Sequence, residues 1–167
     1  MNQMKEIKIE KITLNMGVGE AGGNLKKAMK LLNNISGLKS VETKTKKRIP
    51  TWGIRPGLTI GCKVTIRKNT ESLIKRFLAA KSNTLKESNF SEGTISFGIP
   101  EYIDIPEAQY DAEVGIMGLD VSVTLQRPGY SIKRRAYQKK EIGKKHLISK
   151  EDTIKFMQEK FKISIED

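Results

Sequence analysis

Leu58-Thr-Ile-Gly-Cys-Lys-Val-Thr-Ile-Arg67 alternates without a break. Side chains of a strand point to opposite faces in turn. Leu58, Ile60, Cys62, Val64 and Ile66 therefore share one face, and Thr59, Gly61, Lys63, Thr65 and Arg67 share the other. Ile12-Thr-Leu-Asn-Met16 repeats the pattern, with Thr13 and Asn15 opposite Ile12, Leu14 and Met16. A third strand sets Asp120, Ser122 and Thr124 against Leu119, Val121, Val123 and Leu125. Strands buried on both faces read as continuous apolar runs, whereas these are one-sided. They predict an α+β fold: a mainly antiparallel sheet, helices packed on one face, the other face left open.

The helices come from the segments between. Leu25, Ala28, Met29, Leu32 and Ile35 recur at helical spacing, and Ser36-Gly37 ends that helix. A second helix over about 70–81 buries Leu73, Ile74, Phe77 and Leu78. Ser149-Lys-Glu-Asp152 reads as a helix cap, and Ile154, Met157 and Phe161 give the helix behind it an apolar stripe. A short strand is expected near Val41 and another near 94–97. A length of 167 residues fits one domain.

Charge is sorted along the chain. Residues 43–70 hold eight Lys/Arg and no acid, and residues 121–149 hold eight Lys/Arg and one acid. Residues 87–120 hold eight acids and no base. A net charge of +12 arranged this way gives one strongly positive surface, suited to RNA or DNA. One nucleic-acid-binding domain is thus expected over 1–167, with a basic loop at 45–57 and a basic C-terminal segment at 127–148. The acidic stretch reads as a solvated flank or a protein contact.

Catalysis and cofactors find little support. The single His146 leaves no zinc-type ligand set, and a phosphate or solvent contact suits it better than a catalytic role. One cysteine, Cys62, rules out an internal disulfide, and its inward position makes it a core residue. No apolar run is long enough to span a membrane, and the opening residues do not resemble a secretory signal, so a reducing cytoplasm is expected. Gly17-Val-Gly-Glu-Ala-Gly22 is a literal G-x-G-x-x-G between a strand and a helix, with Glu42 downstream, as in dinucleotide-binding enzymes. Against it, Glu20 would set a carboxylate beside the pyrophosphate, and one-sided strands do not suit a doubly wound sheet. The glycines are better explained by a tight turn that lets another backbone, such as RNA, come close. Trp52 sits among Lys46, Lys47, Arg48 and Arg55, as a stacking group for a nucleotide or as the plug of a small local core.

Several blocks together resemble one family. Ile12-Thr-Leu-Asn-Met-Gly-Val-Gly-Glu20, Thr43-Lys-Thr-Lys-Lys47, Gly53-Ile-Arg-Pro-Gly57, Ile60–Arg67, Phe97-Gly-Ile-Pro-Glu101 and Gly115-Ile-Met-Gly-Leu-Asp120 are similar, in order and spacing, to ribosomal protein L5, the 5S-rRNA-binding family of the large subunit. Arg127-Pro-Gly-Tyr-Ser131 and Gly143–Lys150 resemble its archaeal and eukaryotic branch. Leu38 stands where the family usually has an RNA-contacting Gln. The resemblance implies a non-catalytic protein without metal or cofactor. Its partners would be 5S rRNA, large-subunit rRNA in the central protuberance, neighbouring ribosomal proteins of the 5S particle and, through the 45–57 loop, peptidyl-site tRNA. It implies rRNA contacts at Asn15, Gly17, Thr65 and Arg67. Gly19 and Lys63 join them by position, and Lys133, Arg134, Arg135, Lys139, Lys140, Lys144 and Lys145 by charge. The tRNA-contact loop would use Lys46, Lys47, Arg48, Trp52 and Arg55. A free-standing RNA- or DNA-binding regulator is the alternative, with a dinucleotide enzyme third.

Overall fold

The computed structural model describes residues 2–19 and 22–166. In chain order the elements are β1 (Lys8–Gly17), α1 (Gly23–Ser36), β2 (Val41–Lys44), β3 (Thr59–Ile66), α2 (Thr70–Ala79), β4 (Thr84–Lys86), β5 (Phe90–Ser91), β6 (Thr94–Ile99), β7 (Leu119–Gln126), α3 (Lys150–Phe161) and β8 (Ser164–Glu166). Six strands form one sheet in the order β2-β3-β1-β7-β6-β5, antiparallel at every ladder. β4 and β8 form a separate parallel pair.

One apolar cluster lies between the sheet and the helices. Ile12 and Leu14 of β1, Cys62 and Val64 of β3, and Val121 and Val123 of β7 meet Leu32 of α1 and Ile74 and Phe77 of α2. The inward faces are those the alternation predicted. In α1, Leu31 is buried and Met29 lies only at the margin. Gly37 closes α1 in the left-handed conformation, with its N–H on the Asn33 carbonyl. α3 starts with a capping box: Ser149 accepts from the Asp152 N–H, and the Asp152 side chain accepts from the Ser149 N–H.

The stretch 82–118 is more ordered than its composition suggests. Ile95, Phe97 and Ile99 of β6 are buried, and this strand pairs β7 over its full length. Tyr102 is fully buried, and its hydroxyl accepts from the Asp111 N–H at 3.0 Å, pinning the acidic connection to the core.

The dinucleotide-enzyme alternative fails on topology. β1 is flanked on both sides by antiparallel partners, and β2, reached through α1, is separated from β1 by β3. A dinucleotide site needs a parallel βαβ unit at a switch point of the strand order. Glu20, the residue weighed against a bound pyrophosphate, lies outside the described residues.

Candidate nucleic-acid interface

The antiparallel register lines up the outward residues of the open face in rows. One row runs Val41, Lys63, Asn15, Asp120 and Gly98. The next runs Thr65, Thr13, Ser122 and Ser96, with the two serine hydroxyls 3.1 Å apart. Thr43, Gly61 and Gly17 form a third row. The result is a broad surface of short hydroxyl and amide groups and glycines, with Lys63 exposed within it. Arg67 lies just past the end of β3 and is exposed.

Glycine is required at Gly61: a Cβ there would stand 2.6 Å from the Met16 carbonyl oxygen and 3.0 Å from Thr43 Oγ1. Its partner Gly17 has nothing within 4 Å on that side, so another backbone can approach the sheet there. Beyond it the Val18 and Gly19 N–H groups both donate to the Ile60 carbonyl, at 2.9 and 3.0 Å. Gly19 itself has φ +80°.

One acid enters this face. Asp120 sits directly across from Asn15, whose amide donates to it at 3.4 Å. The outward set of Thr13, Asn15, Lys63, Thr65 and Arg67 thus has a carboxylate neighbour. The residue was already on the polar side of its strand, so its place was readable from the alternation.

The basic C-terminal segment is pinned to the sheet rather than hanging free. Arg134 pairs with Glu10 and donates to Gln126 at 2.8 Å. Arg127 is largely enclosed; it bonds Asp152 at 3.0 Å and the Leu147 carbonyl at 3.0 Å. Tyr130 donates to the His146 carbonyl and accepts from the Ile148 N–H, both at 3.1 Å. His146 packs edge-on against Tyr130, and its Nε2 lies 2.9 Å from the Pro128 carbonyl. The His146 ring, half-buried, thus also closes the base of the segment, a packing role beside the expected phosphate or solvent contact. Arg134, although exposed, is already paired with Glu10. Lys133, Arg135, Lys139, Lys140, Lys144 and Lys145 are exposed and have no carboxylate partner among the described residues.

The 45–57 loop leaves the outer β2–β3 ladder and closes on itself. Ile49 and Ile54 exchange backbone hydrogen bonds at 3.0 and 3.1 Å, and Ile54 is buried. Trp52, at the tip, is 73% exposed, so Ile54 and not Trp52 plugs the small local core. Lys46, Lys47, Arg48 and Arg55 are exposed around it.

Acids gather on the helix side. Lys30 of α1 holds Glu113 at 2.7 Å and Asp111 at 2.9 Å. Hydrogen bonds to Glu113 and Asp111 raise the Lys30 pKa, and the bond from Lys30 lowers that of Asp111. Arg76 of α2 lies 3.4 Å from Glu107. These three acids of the 87–120 stretch are therefore paired with helix cations, and Asp120 is the one carboxylate in the cross-strand rows named above. Cys62 is fully buried, and desolvation pushes its thiol up to about 11, which makes it inert. No cluster of three metal-ligating side chains occurs among the described residues, and no helix is long and apolar enough to cross a membrane.

The family profile described as "Ribosomal protein L5" matches residues 2–55, and the profile for the C-terminal part of the same ribosomal family matches residues 59–156. The chain belongs to the ribosomal protein L5 family. Curated relatives agree over nearly the whole length. The large ribosomal subunit protein uL5 of Nanoarchaeum equitans is 47% identical, covering 97% of each chain. That of Sulfurisphaera tokodaii is 44% identical, covering 99% of this chain and 95% of its own. That of Methanosphaera stadtmanae is 42% identical, covering 99% and 100%. The two family profiles together span the open sheet face and the basic segment to within α3.

Some roles on this L5 surface carry no readable mark in the sequence. Arg127 and Tyr130 belong to a block that resembles the family, but nothing in the sequence shows that they fix the basic segment. Lys11 joins the open face only because β1 starts earlier than its clear alternation and carries a register shift between Ile9 and Lys11.

Proposed function

We propose that this chain is the non-catalytic 5S-rRNA-binding protein of the large ribosomal subunit. In this reading it docks 5S rRNA on the open face and the basic segment and ties it to large-subunit rRNA within the cytoplasmic ribosome. Asn15, Thr65 and the glycines meet sugars and unpaired bases, and Lys63, Arg67 and the lysines of 133–145 neutralise phosphates. The observation that carries this is the uncovered sheet face, a surface of small hydrogen-bonding groups with cations beside it, while Asp111, Glu113 and Glu107 of the acidic stretch are paired with cations of the helices. The whole chain, 1–167, is read as one RNA-binding unit. Recovering the protein from a lysate and sequencing its bound RNA tests the reading. One structured 5S-type RNA is expected; a broad mixture of RNA or DNA would favour a free-standing regulator.

The loop is assigned to peptidyl-site tRNA. Because Ile54 is buried, the clean variant keeps the loop and replaces Lys46, Lys47, Arg48, Trp52 and Arg55 with Ala. The expected 5S affinity stays within about threefold, near 0.7 kcal/mol, since tenfold is 1.4 kcal/mol. Retention of peptidyl-site tRNA on ribosomes assembled with the variant should fall measurably. Filter binding of each RNA reads both effects, and lost 5S binding with unchanged tRNA retention would refute the division of labour.

A further inference from the structure

The open face is not flat throughout. Toward its β5 end it sinks into a cavity of about 450 Å³. The floor is the cross-strand row Lys11, Thr124 and Thr94. The basic segment forms the wall with Lys133 and Lys139, and Tyr130 and Leu147 form the back. That volume lies within the range of pockets that hold a small organic ligand, roughly 300–1,000 Å³.

Three features of this cavity point to one kind of occupant. First, it is net cationic: Lys11, Lys133, Arg134 and Lys139 line it with two carboxylates, Glu10 and Glu92; Glu10 is shared by Arg134 and Lys11, and Lys133 and Lys139 have no carboxylate partner among the described residues. Second, its back is apolar and rigid. Tyr130 is fixed by two hydrogen bonds and by the His146 ring, while Leu147 remains 41% exposed. Third, the Thr94 and Thr124 hydroxyls make no hydrogen bond among the described residues, so they are available to a ligand. An anionic group at the rim with a flat, partly apolar body and polar edges matches all three.

We infer that the cavity receives one unstacked nucleotide of the bound RNA. The base lies inward against Tyr130 and Leu147 with its edge toward the Thr94 and Thr124 hydroxyls. The phosphate lies outward on Lys133 and Lys139. Specific RNA recognition rests largely on such splayed-out bases in loops and bulges, because a continuous A-form helix hides its base edges. The cavity thus selects RNA with an extruded nucleotide over plain duplex, a task that surface cations alone cannot perform. This inference rests on the RNA-binding reading above.

Thr124→Phe fills the floor of the cavity with a strand-compatible side chain and leaves the charge unchanged. Affinities are measured at one salt concentration for 5S rRNA and for a blunt RNA duplex of equal length. The expected result is at least a tenfold loss for 5S rRNA, with duplex binding changed by less than twofold. An unchanged 5S affinity in a variant whose circular dichroism matches the parent overturns the inference. A second measurement needs no variant: amide shifts of Thr94, Thr124 and Leu147 are followed while AMP, GMP, CMP or UMP is added. Saturable shifts at these three residues support the cavity. Shifts that inorganic phosphate reproduces in full overturn it, leaving a phosphate site only. Equal affinity of the unaltered protein for 5S rRNA and duplex would instead defeat the underlying RNA-recognition reading.

Discussion

Affinity for 5S rRNA is expected to fall roughly 10³-fold between 50 and 200 mM monovalent salt. Each phosphate-bound Lys or Arg adds about 0.7–0.9 to the log–log slope through released counterions. Lys63, Arg67, Lys133, Lys139, Lys140 and Lys144 are exposed and have no carboxylate partner among the described residues. Engaging these alone gives a slope of roughly −4 to −5. Arg127 and Arg134 are left out because Asp152 and Glu10 already hold them. Equilibrium titrations at four salt concentrations measure the slope. A value near −1 would mean that the basic surface does not face the RNA backbone.

Phe77→Ala should destabilise the fold by about 3–5 kcal/mol, the usual range for a truncated buried aromatic. Phe77 is fully buried on α2, within the cluster that joins the helices to the sheet. Domains of this size are stable by only about 5–15 kcal/mol, so the loss removes a large share of the total. Urea unfolding should show a lower midpoint with little change in slope. A shift below about 1 kcal/mol, small against that range, would mean that the helical layer is not held by this cluster.

The parts of this structure that could be read in advance are those whose signal is local. The faces of β1, β3 and β7 follow from period-two alternation, because the pleat fixes which residues turn inward. The end of α1 at Gly37 and the cap at Ser149 are equally local. Pairings across long stretches of chain left no such mark. The three-residue strands β4 and β8 are too short to show a period, and they find each other in parallel across the molecule. Arg134 looked like one more cation in a basic run, yet its partner Glu10 lies 124 residues away. The same holds for Arg127 and Asp152, 25 residues apart, and for Lys30 with Asp111 and Glu113. Net charge identifies a polyanion binder, but only the tertiary contacts decide which cations remain for the polyanion.

The central claim is that RNA lies on the open sheet face rather than anywhere on a positive molecule. Two double variants of equal net charge separate these possibilities. Lys63→Glu with Arg67→Glu alters the open face, while Lys27→Glu with Lys75→Glu alters exposed positions of α1 and α2. The measurement is 5S rRNA affinity by filter binding at one fixed salt concentration, with circular dichroism to verify the fold. The account predicts that the sheet-face pair loses about a hundredfold more affinity than the helix pair, near 2.8 kcal/mol. Equal losses from the two pairs would contradict it, because binding would then follow net charge alone.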